Sequence, residues 1–411
     1  MSVDKDKARN PLLLLHSTVT FNLKKKQNFM KNRILNLTLM SLVLLTSCSK
    51  EFNDVTSLNS FSSPNGQGDS ERQAGVITAA EWNDLDNWSF WENIINTDDF
   101  KSKPQYWTIF NNNRIAVKVV SSAEKPVVNA LLQLKREGTT IFTARTDNRG
   151  QAELWADIFQ NNPNVDFSKL TIDINNGAHL LSDVKPYKEG TNNIVIPATT
   201  VDSKLEIAFV VDATGSMGDE LEYLKTELLD VISRIKSANA HSTVLTSAVF
   251  YRDKGDEYVT IVSNFTSDNN ATVNFISNQR AEGGGDFPEA VHTALDKAVN
   301  ELQWSTNAKT RILFLLLDAP PHHNTSVISS IQTSLLKSAE KGIKIIPITA
   351  SGIDKETEFL MRFLAMTTNG TYVFITDDSG IGESHLQASV GEYQVEFLND
   401  LMVRLINKYA E

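Results

Sequence analysis

LEIAFVVDATGSM, residues 205–217, decides the fold. From Leu205 to Val211 only Glu206 is polar. A run that short and that rich in β-branched residues predicts a strand buried on both faces of a parallel sheet. It ends at Asp212, and Thr214, Gly215 and Ser216 come next, before a helical pattern begins near Gly218. An acid and two hydroxyls thus stand at the carboxyl end of a buried strand, where open α/β sheets bind ligands. Such hard oxygen donors, spaced this closely, suit Mg²⁺, Ca²⁺ or Mn²⁺.

The surrounding pattern alternates strand and helix over residues 201–411. A helix is expected over 218–236, with Leu221, Leu224, Leu228, Val231 and Ile235 on one face. Strands over 244–251 and 258–265 are joined by a short turn, so one of them is antiparallel. Further helices are expected over 288–304, 326–341, 355–366 and 390–408, and strands over 311–317, 343–348 and 371–375. The fold class is α/β: a doubly wound, mainly parallel sheet with one antiparallel edge strand.

Asp212-Ala213-Thr214-Gly215-Ser216 resembles the Asp-x-Ser/Thr-x-Ser motif with which von Willebrand factor type A domains begin a metal-ion-dependent adhesion site. The resemblance extends over 201–411 and implies a Rossmann-like domain that binds a protein partner through a divalent cation, Mg²⁺ above all, with Ca²⁺ or Mn²⁺ as alternatives. It also implies a second coordinating aspartate at the end of a central strand, the place that Asp318 holds after the apolar run 312–317. A third loop in that family usually supplies a threonine, often after Gly-Gly. Here the loop reads Gly283-Gly284-Gly285-Asp286 and has no threonine. Asp286 is the nearest oxygen donor and completes the candidate metal set of Asp212, Thr214, Ser216, Asp286 and Asp318; otherwise it would cap a helix starting at Pro288. In such sites a partner's Asp or Glu often completes the coordination. A third carboxylate would hold the metal harder and attract an incoming acid less. Arg252, Asp253 and His322 lie just beyond strand ends on the same side and are expected on a partner-binding rim. Asp219 and Glu220 fall in a first helical turn, where negative charge is favourable.

The rest of the chain sets the context. A length of 411 residues suggests two or three domains. The net charge is −11, and residues 1–47 contribute +6 of it (eight Lys/Arg, two Asp/Glu), so the remainder carries −17. An acidic body argues against binding nucleic-acid phosphates. The lone cysteine, Cys48, excludes intrachain disulfides. A basic segment at 30–33 precedes an apolar run at 34–45, too short to span a membrane but laid out as a secretory signal peptide. Leu45-Thr46-Ser47-Cys48 resembles the lipobox of bacterial lipoproteins. That resemblance implies cleavage before Cys48, lipidation of Cys48, and a lipid anchor in the cell envelope, with Ser49 pointing to a Gram-negative outer membrane. On this reading 1–29 is a mis-called extension, 30–47 the signal peptide, and 48–75, rich in Ser, Asn and Gly, a flexible tether.

Residues 76–110 hold Trp82, Trp88, Trp91 and Trp107, and Trp88 and Trp91 share a helical face. An amphipathic helical segment docking on the next domain is expected. Over 111–200 short alternating strands predict a small antiparallel β-sandwich. Its Pro126-Val127…Thr146-Asp147…Gly150 order resembles carboxypeptidase-regulatory-like modules, which implies a spacer or binding role.

No Gly-x-Ser-x-Gly, His-Glu-x-x-His or phosphate-binding Gly-x-x-x-x-Gly-Lys pattern occurs. Binding, not catalysis, is the reading. A metal-dependent hydrolase using His322 is the competing class, and a structural module without a metal is the third. Peptide mapping of native protein should recover nothing from before Met30; a peptide from that region would refute the expected start.

Overall fold

The computed structural model describes residues 73–411 except Glu383. The extension 1–29, the signal peptide 30–47, Cys48 and the tether to residue 72 lie outside the described residues. The body begins with β1 (Thr78–Trp82), α1 (Trp88–Ile94) and α2 (Lys103–Trp107). Seven short strands come next: β2 (Arg114–Val120), β3 (Leu131–Arg136), β4 (Thr139–Arg145), β5 (Gln151–Trp155), β6 (Leu170–Ile174), β7 (His179–Leu181) and β8 (Asn192–Val195). Strands and helices then alternate through β9 (Asp202–Asp212), α3 (Gly218–Ala238), β10 (Thr243–Tyr251), β11 (Thr260–Thr266), α4 (Asn269–Ser277), α5 (Val291–Asp296), β12 (Ala308–Leu317) and α6 (Thr325–Lys341). The last elements are β13 (Ile343–Thr349), α7 (Lys355–Thr367), β14 (Tyr372–Ile375), β15 (Val395–Phe397) and α8 (Leu398–Ala410).

The large sheet runs β11-β10-β9-β12-β13-β14-β1-β15. β10, β9, β12, β13 and β14 are parallel, and β11 is the expected antiparallel edge. Strand β9 sits between two parallel neighbours, which explains its apolar run: Ala208 and Val210 face one core, Ile207, Phe209 and Val211 the other. Helices α3 and α8 cover the second face, α5, α6 and α7 the first. Glu206 is fully buried within β9, where its carboxylate accepts from the Ser305 amide at 3.0 and 3.1 Å and from the Ser305 hydroxyl. A carboxylate can stay in the interior when it is hydrogen-bonded in this way.

Three expectations need correction. Residues 76–110 are not helical alone: β1 pairs antiparallel with β14 and with β15, inside the large sheet. A strand edge left open by β14 is an aggregation template, and β1 covers it. The small domain packs a β5-β2-β8 sheet against a β4-β3-β6-β7 sheet, but β8 joins β2 in parallel, not antiparallel. The last helix begins at Leu398, not Val390, because the chain first adds β15. The Trp-bearing helix α1 does dock: Trp91 stacks on Phe359 of α7 at 5.8 Å, and Trp88 meets Trp155 of β5 at the same centroid distance. The sandwich is further tied to the large sheet by buried Lys344, which donates to Asp147 at 3.2 Å and to the Asn369 carbonyl at 2.6 Å.

Arg362, fully buried on α7, holds the N-terminal segment in place. It donates to both Asp84 oxygens at 2.6 and 2.9 Å, to Glu358 at 3.1 Å and to the Ser389 carbonyl at 2.7 Å. Removing one partner of a buried ion pair leaves the other charge uncompensated, at a cost of about 3–5 kcal/mol. Because Glu358 still faces Arg362 in Asp84→Ala, that variant should lose about 3 kcal/mol, the low end of this range, in urea unfolding, and Asp84→Asn, which keeps an acceptor, should lose less. An Asp84→Ala protein as stable as wild type would show that the pair does not hold this segment.

Candidate metal centre

The site lies where strand order reverses. The chain passes from β9 to β10 on one side and later places β12 on the other. Val211 is registered with Leu316 and Asp212 with Tyr251. Asp212 and Asp318 therefore leave the ends of adjacent strands at the topological switch point of the sheet. Both are buried, 0 % and 5 % exposed.

The first loop folds back on its own acid. Asp212 Oδ1 accepts from the Thr214 amide at 2.9 Å and from the Thr214 hydroxyl at 2.7 Å, and Thr214 Oγ1 lies 3.3 Å from Ser216 Oγ. The Ser216 hydroxyl stands beside Asp318 and favours its ionised form. Asp212, Thr214, Ser216 and Asp318 are thus brought together. Asp212 Oδ2 and Asp318 Oδ1 have no hydrogen-bond partner. Burial, followed by the charge of Asp318, pushes the Asp212 carboxyl up to about 7. Burial, with the charge of Glu220 adding, pushes Asp318 up to about 6. Tyr251, buried beside Asp212, is raised well above the usual phenol range for the same reason. Two buried carboxylates with free oxygens, flanked by two hydroxyls, fit a hard divalent cation. Among the described residues no three carboxylate or imidazole groups are already arranged as one chelate.

The third loop is held by its glycines. Gly215 N–H donates to the Gly283 carbonyl at 3.1 Å, and Gly284 N–H donates to Asp256 at 2.9 Å. Gly283 and Gly284 have φ of +80° and +76°, and a Cβ at Gly283 would fall 2.4 Å from Asp256 Cγ, so only glycine fits there. Asp286 is exposed on this loop and lines an open cleft of about 360 Å³ with Ser216, Phe287, Glu289 and Asp318. It caps nothing: α5 begins at Val291 with Ala290 at its N-cap, and ends in a π turn, Lys297–Glu301, in place of the expected continuous helix over 288–304.

Two rim residues are not at the surface. Arg252, 5 % exposed, lies over the Tyr258 ring at 4.4 Å and donates to the Arg280 carbonyl at 3.0 Å. Asp253, 7 % exposed, meets His322 Nε2 at 2.8 Å. A strand end that turns back under a hairpin buries the residues just beyond it, which a residue-by-residue reading does not show. His322 is partly exposed. His323 points elsewhere and stacks on Tyr106 at 3.7 Å.

Sequence reasoning missed Glu289 and undervalued Glu220. Glu220 is buried, accepts from the Ser351 amide at 3.1 Å and meets His385 at 3.0 Å, so it is no solvated helix-end charge. Glu289 is 3 % exposed with Oε2 unpartnered. Burial, then the charges of Asp212, Asp253 and Asp318, pushes it up to about 9. Its sequence signal, an acid one residue after Pro288, is no different from that of any loop acid.

The family comparison agrees with this architecture. Residues 206–382 match a family described as the von Willebrand factor A domain, so the chain carries such a domain. β1 and α8 fall outside the matched residues. A protein of Acanthamoeba polyphaga mimivirus named as an ariadne-like RING finger protein is 35% identical over 122 residues, 30% of this chain and 12% of that protein. The alpha-protein kinase vwkA of Dictyostelium discoideum is 28% identical over 124 residues, 29% of this chain and 19% of the kinase. The chain thus spans under a fifth of either relative. Among solved structures, the conserved hypothetical protein BatB of Bacteroides thetaiotaomicron is 13% identical with a TM-score of 0.35, covering 50% of this chain and 98% of that one.

The raised carboxyls give a pH dependence with a definite sign. Between the unfolded values of about 4 and the folded values, the native state binds more protons than the unfolded one. Stability of the protein in chelator should therefore fall as pH rises from about 4, through the titration of Asp318 and Asp212 near 6 and 7, toward that of Glu289 near 9. His385, raised by Glu220 and Asp377 against burial, loses stability in the same direction, so the assignment comes from a variant. Asp318→Asn should flatten the dependence in urea unfolding at pH 5, 7 and 8.5. An unchanged slope would remove the acid pair as its source.

Proposed function

We propose that this von Willebrand factor A domain binds a protein partner through a divalent cation, Mg²⁺ in the first instance. Asp212, Thr214, Ser216 and Asp318 hold the ion, and the open cleft above them admits the partner. The observation that carries the reading is the pair of buried carboxylates at adjacent strand ends, each with an oxygen that no protein group satisfies. A buried, unpaired carboxylate is costly, and a dication compensates two of them. When bound, the ion supplies a Lewis-acidic position that a partner's oxygen completes. An acidic side chain is the donor that the family resemblance implies, and a centre with only Asp212 and Asp318 as charged ligands would accept one.

Binding is proposed over hydrolysis because the sequence carries none of the Gly-x-Ser-x-Gly, His-Glu-x-x-His or Gly-x-x-x-x-Gly-Lys patterns. Lipidation of Cys48 would hold the domain at a membrane surface in the cell envelope, with the segment after it as tether.

Calorimetric titration with Mg²⁺, Ca²⁺ and Mn²⁺ should give a single site in wild type and none in Asp212→Ala. Because the cation competes with protons for the same carboxyls, its affinity should rise with pH between 5 and 8. Equal heats from wild type and Asp212→Ala would refute the centre.

A further inference from the structure

We propose that Glu289, not Asp286, is the third-loop ligand of the cation, so that the loaded centre is negatively charged and takes a neutral oxygen from its partner. This rests on the metal-binding reading above and changes the partner chemistry that the resemblance implies.

Backbone contacts fasten the loop that carries Glu289 at both ends. The Glu289 amide donates to the Pro320 carbonyl at 2.8 Å, and Glu289 forms a bridge with Pro321, which fastens the third loop to the loop that carries Asp318. The other end of the loop is fastened to the Asp212 loop through Gly215 and Gly283. Between these two ties sits Gly284. A Cβ there would lie 3.0 Å from Glu289 Oε1 and 3.4 Å from Thr214 Cβ, so the Glu289 carboxylate and Thr214 flank the same glycine.

The burial is equally specific. Glu289 is 3 % exposed and its Oε2 has no partner, as is true of Asp212 Oδ2 and Asp318 Oδ1. Each of these carboxylates costs free energy in the interior unless something cationic joins it. Asp286 bears no such cost, being exposed. Glu289 also lines the cleft with Ser216 and Asp318.

The charge has a consequence for recognition. Three carboxylates around a dication leave the centre one charge negative. An incoming carboxylate meets repulsion, whereas a backbone carbonyl, a hydroxyl or an amide oxygen does not. The partner is therefore a protein that presents a neutral oxygen.

Mn²⁺ titration followed by calorimetry, with wild type, Glu289→Gln, Asp286→Asn and Asp318→Asn, tests the assignment. Glu289→Gln should bind about tenfold more weakly or worse, since affinity follows the number of charged ligands, and Asp286→Asn should match wild type. The Glu289→Gln protein should unfold in chelator at no lower urea concentration than wild type, which separates a lost ligand from a lost fold. In a second arm, acetate serves as a carboxylate probe of the Mn²⁺-loaded protein by water-proton relaxation. It should displace Mn²⁺-bound water from Glu289→Gln at lower concentration than from wild type. Unchanged Mn²⁺ affinity in Glu289→Gln alongside loss in Asp318→Asn overturns the Glu289 assignment and leaves the metal reading standing. Unchanged affinity in both overturns the two together. Acetate acting equally on wild type and Glu289→Gln overturns the neutral-donor inference.

Discussion

Asp212 and Asp318 are held out of water at the ends of neighbouring parallel strands, where each raises the free energy of the other's charge. The fold tolerates this repulsion because the parallel strands and the helices packed on both faces fix the two ends relative to each other. β9 is bonded on both sides, and its register with β12 sets the two acids at adjacent strand ends. Strain of this kind concentrates where a ligand relieves it. The hydroxyls of Thr214 and Ser216 satisfy part of the demand and leave one oxygen of each acid without a protein partner.

The domain that carries the site is not a contiguous piece of chain. Residues 78–82 supply β1, which covers β14, and the buried Asp84–Arg362 pair secures the turn just after it. The sandwich is attached through Lys344 and through the Trp88–Trp155 contact. Because β1 completes the sheet of the last domain, the N-terminal side of the chain is built into that domain. β1 pairs with β14 and β15, and only β13 lies between β14 and β12, the strand that leads into Asp318.

The rim shows how charge is managed near the centre. Asp253 is matched by His322 and Arg252 by Tyr258 and the Arg280 carbonyl, so these side chains are spent on internal contacts. Asp256 braces the glycine loop through the Gly284 amide. Four buried acids, Asp212, Glu220, Glu289 and Asp318, each keep an oxygen with no hydrogen-bond partner.

The doubly wound sheet, the strand ends at Asp212 and Asp318, and the antiparallel β11 were all legible in the letters. Each rests on local information: apolar runs of strand length, helical periodicity, and a hairpin too short for a crossover. The place of β1 was not legible, because TAAEW, residues 78–82, is too short and too mixed to mark a strand; its character comes from pairing with β14, distant in sequence. The parallel entry of β8 and the late start of α8 were hidden for the same reason. It took the packed loops to establish that Asp286 is exposed while Glu289 is buried against the Asp212 and Asp318 loops. In a loop without periodic pattern, which of two nearby acids turns inward is set by hydrogen bonds to other loops, here those of Gly283 and Pro320, and a single chain of letters does not contain them.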